Sequence, residues 1–189
     1  MASTAPRSRG GTAITLRVSL KDHVPAIWRH LVVPGEITLS TLHKVLQVAM
    51  GWEASHLYVF EIGDQRFAPP DPDGEDDEID DQSVVLLDVV SERDRFLYEY
   101  DFGDSWQHEV VVEEIESGHR QITHPICLEG ERACPPEDCG GVDGYLSLLE
   151  VLADPEHDEY EQYLERVGSS FDAEAFDPVA TNANLRQIE

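Results

Sequence analysis

From Thr12 to Leu20 apolar and polar positions alternate, with Ile14, Leu16, Val18 and Leu20 on one face, which predicts a half-buried strand. Ile27 to Val33, after the break at Pro25, predicts a second. Over Leu39 to Met50 the period lengthens, with Leu39, Leu42, Val45, Leu46, Ala49 and Met50 recurring at helical spacing. Thr38 or Ser40 is placed to cap that helix and Gly51 to stop it. His56 to Ile62 reads as a strand, and Val84 to Val90, too short for its period to decide, as a short helix. After a turn-rich segment from Gly118 to Gly144, helices are expected at Tyr145 to Ala153, Glu156 to Val167 and Pro178 to Ile188.

The densest pattern runs from Arg95 to Ile115. Phe96, Tyr98, Tyr100 and Phe102 share one face, Trp106, His108, Val110 and Val112 continue it, and Glu99, Asp101, Gln107 and Glu109 lie opposite. The turn between the two runs contains Gly103, so a β-hairpin is expected. A two-residue loop at Gly103-Asp104 would set Tyr100 against Gln107. A three-residue loop, Gly103 to Ser105, pairs Phe102 with Trp106, Tyr100 with His108 and Tyr98 with Val110, and keeps both faces consistent. Strands that come first and pair through hairpins, with helices concentrated in the C-terminal part, predict an α+β fold with a mostly antiparallel sheet.

With 189 residues, 41% of them hydrophobic, the chain has the material for one core. A single domain is expected over residues 12–189, preceded by a disordered tail at 1–11 that is rich in Ser, Arg, Gly and Ala. Residues 70–82 hold the acidic stretch Asp71 to Asp81, expected to be a solvated loop. Lys and Arg number 13 against 39 Asp and Glu, a formal net charge of -26, which argues against direct binding to nucleic acid or anionic lipid. No apolar run reaches the roughly 18 residues a membrane span needs, and Met1 to Gly11 lacks the apolar centre of a secretory signal, so a cytoplasmic location is expected. Three cysteines, an odd count, point to reduced thiols or metal ligands rather than a closed disulfide set.

Four constellations carry candidate chemistry. On the hairpin, Tyr98, Tyr100, Trp106 and His108 form an aromatic face with Asp101 and Asp104 near the turn. It suits ligand recognition or a histidine base, and equally a core in which His108 bonds to a tyrosine and Asp104 forms the turn. His124, Cys127, Cys134 and Cys139 are a candidate zinc set, weighed against buried thiols. The run Pro135-Pro136-Glu137-Asp138-Cys139-Gly140-Gly141 presents Glu137 and Asp138 on a stiff loop to a divalent cation or a basic partner, and Asp143 is placed to cap a helix near Tyr145. His43, expected at a helix rim, and His56 flank the Gly51-Trp52 turn, which can bring them together. No G-x-S-x-G elbow, H-E-x-x-H helix, Walker loop or dinucleotide fingerprint occurs.

These same residues resemble the plasmid pRiA4b ORF-3-like family, also labelled insertion-element passenger proteins of a TnpR type. The resemblance rests on Pro25-Ala26-Ile27-Trp28-Arg29, Leu42-His43, Met50-Gly51-Trp52, His56-Leu57, Tyr98 to His108, Ala133 to Gly141, Gly144-Tyr145 and Phe176-Asp177. It implies a roll-like α+β domain and a mobile-element or plasmid association. Its resolvase-type label finds no support in the residues, because a serine recombinase needs an arginine-rich site and a basic module. The leading functional reading is a non-enzymatic binding or adaptor domain, with an aromatic groove for a protein, peptide or small ligand. The alternative is a metal-dependent hydrolase, most simply a zinc enzyme, drawing on His108, His124, Cys127, Cys134, Cys139, Asp101 and Asp104.

Overall fold

Ile14, Leu16 and Val18 are fully buried while Thr15, Arg17 and Ser19 between them are only partly so, which is the predicted alternation realised. The computed structural model describes residues 11–70, 78–118, 122–169 and 171–188. In chain order they form strands β1 (Thr12–Leu20) and β2 (Trp28–Pro34), helix α1 (Leu39–Met50), and strands β3 (Tyr58–Ile62), β4 (Gln65–Ala68) and β5 (Ile79–Asp80). Helix α2 (Leu86–Val89), strands β6 (Arg95–Tyr100), β7 (Trp106–Ser117) and β8 (Ile126–Glu131), and helices α3 (Gly141–Leu152), α4 (Tyr160–Val167) and α5 (Pro178–Leu185) follow. The strands make one sheet in the order β5-β4-β3-β6-β7-β1-β2-β8, antiparallel throughout except where β4 meets β5. The fold is a single α+β domain.

Helix α1 covers the buried face of this sheet with Leu39, Leu42, Val45, Leu46, Ala49 and Met50. Its ends are built as the sequence indicates: Thr38 Oγ1 accepts the Thr41 amide at 3.2 Å, and Gly51, at φ 103°, donates its amide to Gln47 O. Arg29 fastens the far end. It is 1% exposed, and its guanidinium donates to the carbonyls of Ala49 at 2.7 Å and of Trp28, Glu131 and Arg132 at 2.8 Å. A cation at the carboxyl end of α1 also opposes the helix dipole, and Phe176 closes over it with its ring centre 3.9 Å away.

The hairpin register differs from the expected one. Tyr100 pairs with Trp106, Tyr98 with His108 and Phe96 with Val110, so the loop has five residues, 101–105, rather than three. Asp101 takes a positive φ of 56° and turns the chain early; its Oδ1 accepts the Gly103 amide at 3.0 Å and its carbonyl accepts the Ser105 amide at 2.6 Å. A slip of two residues keeps every side chain on its face, so the buried face is the one expected except for Phe102, which leaves the sheet and is 50% exposed.

Residues 71–77 of the acidic stretch and 1–10 of the expected tail lie outside the described residues. Within what is described, Asp81 is not solvated but fully buried, and Ile79–Asp80 forms the short strand β5. The turn-rich reading of 118–144 missed the edge strand β8, and α3 begins at Gly141 instead of Tyr145. Asp143 therefore sits exposed in its first turn, and Gly140, at φ 94°, is the residue before the helix.

Candidate functional site

Tyr98, Tyr100, Trp106 and His108 are all 0% exposed. They cannot be the floor of an open groove, and that expectation is corrected: the aromatic hairpin face is the core against which α1 packs. Two histidines belong to it. His43 is buried rather than at a helix rim, stacked on Tyr58 at 3.5 Å between ring centres, because the phenols of β3 and β6 reach up to α1. The Tyr98 hydroxyl accepts from Gln47 Nε2 at 2.9 Å and lies 2.8 Å from His43 Nδ1, which leaves its proton for the imidazole. Burial pulls the His43 pKa down to about 3 and that of His108 down to about 4, so both are neutral near pH 7. His108 does bond to a tyrosine, but through the Tyr98 carbonyl, 3.3 Å from its Nδ1. Beyond His43, Tyr58 donates its hydroxyl to the buried Asp81 carboxyl at 2.5 Å, and burial raises the Asp81 pKa.

The three cysteines are free. Burial pushes the thiols of Cys134 and Cys139 up to about 12. The expected zinc set does not assemble. Strand β8 carries Cys127 to the sheet edge, where its amide donates to Asn182 on α5 at 2.8 Å, and His124 Nδ1 stands 3.2 Å from Thr123 Oγ1. Among the described residues, donor atoms that come within 4.8 Å of one another as a group of three belong to His56, Asp101 and Asp138.

These three meet because of strand register. Tyr58 pairs with Tyr100, so the segment before β3 lies beside the hairpin loop, and the Asp101 amide donates to Leu57 O at 2.9 Å. The Pro135-Pro136 loop closes from the other side, its Pro135 carbonyl accepting Trp52 Nε1 at 2.9 Å. His56 Nε2 then stands 3.2 Å from Asp138 Oδ1, 3.8 Å from Asp101 Oδ2 and 3.8 Å from Glu137 Oε2. Glu137 is held in place by the Glu53 amide at 2.9 Å and the Tyr100 hydroxyl at 3.0 Å, and Tyr100 in turn accepts the Ser55 amide at 3.1 Å. Burial first, and the Glu137 carboxylate after it, raises the Tyr100 pKa and keeps that phenol a donor. The notch thus places three carboxylates around one imidazole, with the exposed Leu57 and Phe102 at its rim.

Asp104 does not simply bond its own turn. Its Oδ2 accepts the Gly140 amide at 3.0 Å, docking the hairpin loop on the start of α3. Gly141, at φ 68°, sits so close that a Cβ there would stand 2.7 Å from the Asp104 carbonyl oxygen. The backbone carbonyl of Asp138 accepts Arg166 from α4. Beside the notch lies a cavity of about 430 Å³, lined by Arg29, Trp52, Pro136, Glu137, Phe171 and Phe176, with Glu137 as the shared wall.

Of the eight ligand-binding residues expected from sequence, Asp101, Glu137 and Asp138 line the notch, Tyr100 and Asp104 support it, and Tyr98, Trp106 and His108 are core. His56 was the residue missed. In the sequence it stands beside His43 and in the His56-Leu57 pair of the family resemblance; the pairing of β3 with β6 is the signal that sets it against the carboxylates.

The sequence profile of the plasmid pRiA4b ORF-3-like proteins matches residues 12–180. The chain belongs to this family. The chain is similar to uncharacterized protein y4hQ of Sinorhizobium fredii, 44% identical over 162 residues that cover 84% of this chain and 82% of that one. A crystal structure of protein of unknown function MM3350 from Methanosarcina mazei superposes with a TM-score of 0.82 at 38% identity, covering 89% of this chain and 96% of that one. A shared fold does not by itself assign a function to this family member. Among its described residues, no helix is long and apolar enough to cross a membrane.

Proposed function

We propose that this family member is a non-enzymatic binding domain whose recognition site is the notch of His56, Asp101, Glu137 and Asp138, and that its ligand carries positive charge. The observation behind this reading is the convergence of three carboxylates from two loops on one imidazole within 3.8 Å. The net charge of -26 supports the same sign of ligand, since it draws cations to the surface and repels phosphates. Leu57 and Phe102, 66% and 50% exposed, offer apolar contact beside the acids, as recognition surfaces do. The buried aromatic face takes the role of rigid backing instead of groove. The hydrolase reading keeps only Asp101 of its candidate groups at the notch, and its His108 is sealed in the core.

An NMR titration with two ten-residue peptides of equal length, one rich in Lys and Arg and one rich in Glu, tests it. The basic peptide is expected to shift the amides of Ser55, Leu57, Gly103 and Gly140 in the ¹⁵N-labelled protein. Equal shifts from the acidic peptide, or shifts confined to another face, would overturn it.

A further inference from the structure

We propose that the notch is a site for a divalent transition-metal ion, Zn²⁺ or Mn²⁺, bound by His56 Nε2, Asp101 Oδ2 and Asp138 Oδ1. This rests on the reading that the notch takes a cation, and names its chemical class. Two ligands bound to one tetrahedral ion at about 2.0–2.2 Å stand about 3.3–3.6 Å apart. Nε2 is 3.2 Å from Asp138 and 3.8 Å from Asp101, so these atoms already lie near the spacing an ion would impose.

A group of exposed acids alone would not carry this conclusion. Asp101 separates the notch from such a group. Its side chain is only 9% exposed, and its Oδ1 takes the Gly103 amide, but Oδ2 has no hydrogen-bond donor among the described residues. That oxygen faces the imidazole at 3.8 Å, beyond hydrogen-bond reach. A cation between that oxygen and Nε2 gives both atoms a partner, on a side chain that is nine-tenths removed from water.

The donor set narrows the metal. One imidazole nitrogen with carboxylate oxygens suits Zn²⁺ and Mn²⁺, whereas Mg²⁺ and Ca²⁺ prefer oxygen alone, and no thiol is in the group. Glu137 already accepts from the Glu53 amide and the Tyr100 hydroxyl, so it flanks the ion and orients the site. Three protein ligands leave a coordination position open for water or for a donor atom of a partner.

Calorimetric titration of ZnCl₂ into the chelator-treated full chain tests the proposal, with His56→Ala, the exposed-site variant Asp138→Asn and the distant Glu150→Gln as comparisons. ¹⁵N–¹H spectra of each variant establish that it is folded. One equivalent is expected to bind, at least tenfold more weakly in His56→Ala and Asp138→Asn and unchanged in Glu150→Gln, and the His56 ring nitrogen resonances should move with Zn²⁺. Absence of binding, or stoichiometric binding that survives both notch variants, would overturn the metal site. If Zn²⁺ fails while the basic peptide still shifts the notch amides, the metal falls and the cation-binding reading stands. If both fail, both fall.

Discussion

The Tyr100 hydroxyl donates to the Glu137 carboxylate at 3.0 Å, so a ring rooted in the core reaches up to orient an acid at the rim of the notch. The same oxygen accepts the Ser55 amide, and His56 follows directly in the chain. Core and site are therefore mechanically one unit: the hairpin supplies Asp101 and Tyr100, and the loop before β3 supplies the imidazole.

Tyr100→Phe removes this link while keeping the ring. It leaves the Ser55 amide without its acceptor and Glu137 without one donor, at a cost of about 1–2 kcal/mol in stability. Urea denaturation should show that loss, and Zn²⁺ affinity should fall by roughly tenfold, as loss of an orienting partner does in metal sites. An unchanged Zn²⁺ affinity would mean that Glu137 is orientated by the Glu53 amide alone.

Gly141 and Gly51 both have positive φ, but only Gly141 is crowded. A Cβ at 51 meets nothing within 4 Å, whereas at 141 it meets the Asp104 carbonyl oxygen at 2.7 Å. Gly51→Ala should cost about 1 kcal/mol of backbone strain, and Gly141→Ala about 1–3 kcal/mol beyond that for the overlap. Equal unfolding midpoints for the two variants would contradict the docking of the hairpin loop on α3.

Arg29 is worth more than any surface ion pair in this chain. Arg29→Leu leaves the carbonyls of Ala49, Trp28, Glu131 and Arg132 without their shared donor. A loss of about 3–5 kcal/mol follows, and Arg29→Lys recovers only part of it because an ammonium lacks the planar fork. Chemical denaturation of the two variants checks this; a loss under about 1 kcal/mol in both would contradict it.

The buried histidines set the acid limit. Held near 3 and 4, His43 and His108 stay neutral in the fold, while the unfolded chain protonates each near 6.5. The unfolded state thus binds more protons below 6.5, and each histidine lowers stability by about 1.4 kcal/mol per pH unit as pH falls from there toward its folded value. Asp81 works the other way: its raised pKa makes the folded state the better proton acceptor between 3.8 and that raised value, which softens the fall at the acid end. Above about pH 9 the buried thiols of Cys134 and Cys139, held up to about 12, favour the unfolded chain, and above about pH 10 the raised values of Tyr58 and Tyr98 add to this, since thiols and phenols ionise freely once unfolded. Thermal melts from pH 4 to 11 should show a plateau between 6.5 and 9; a midpoint that stays flat down to pH 5 would contradict it.

Much of the fold was legible in the sequence. The bounds of β1 and α1 agree with the alternation and the caps that announce them, because both are decided locally. Local pattern failed where a partner elsewhere decided the outcome. Helix α3 starts four residues before its apolar repeat suggests a helix, at Gly-Val-Asp-Gly, because Asp104 from a distant loop accepts the Gly140 amide. Strand β8 exists because β2 offers an edge, not because Ile126–Glu131 alternates. The site follows the same rule. Asp101, Glu137 and Asp138 were visible as acids in stiff turns, but the imidazole that joins them, at position 56, is 45 residues from Asp101 and 81 from Glu137 along the chain. The face of the hairpin was read correctly and its exposure was not, since periodicity shows which side chains share a side and not what covers them.

Occupancy of the notch by metal is read out by anomalous diffraction from crystals grown with MnCl₂. A single strong peak is expected within about 2.3 Å of His56 Nε2 and the Asp101 and Asp138 carboxylates. A peak at Cys127, Cys134 or Cys139 instead, or none in the notch at saturating metal, would contradict it.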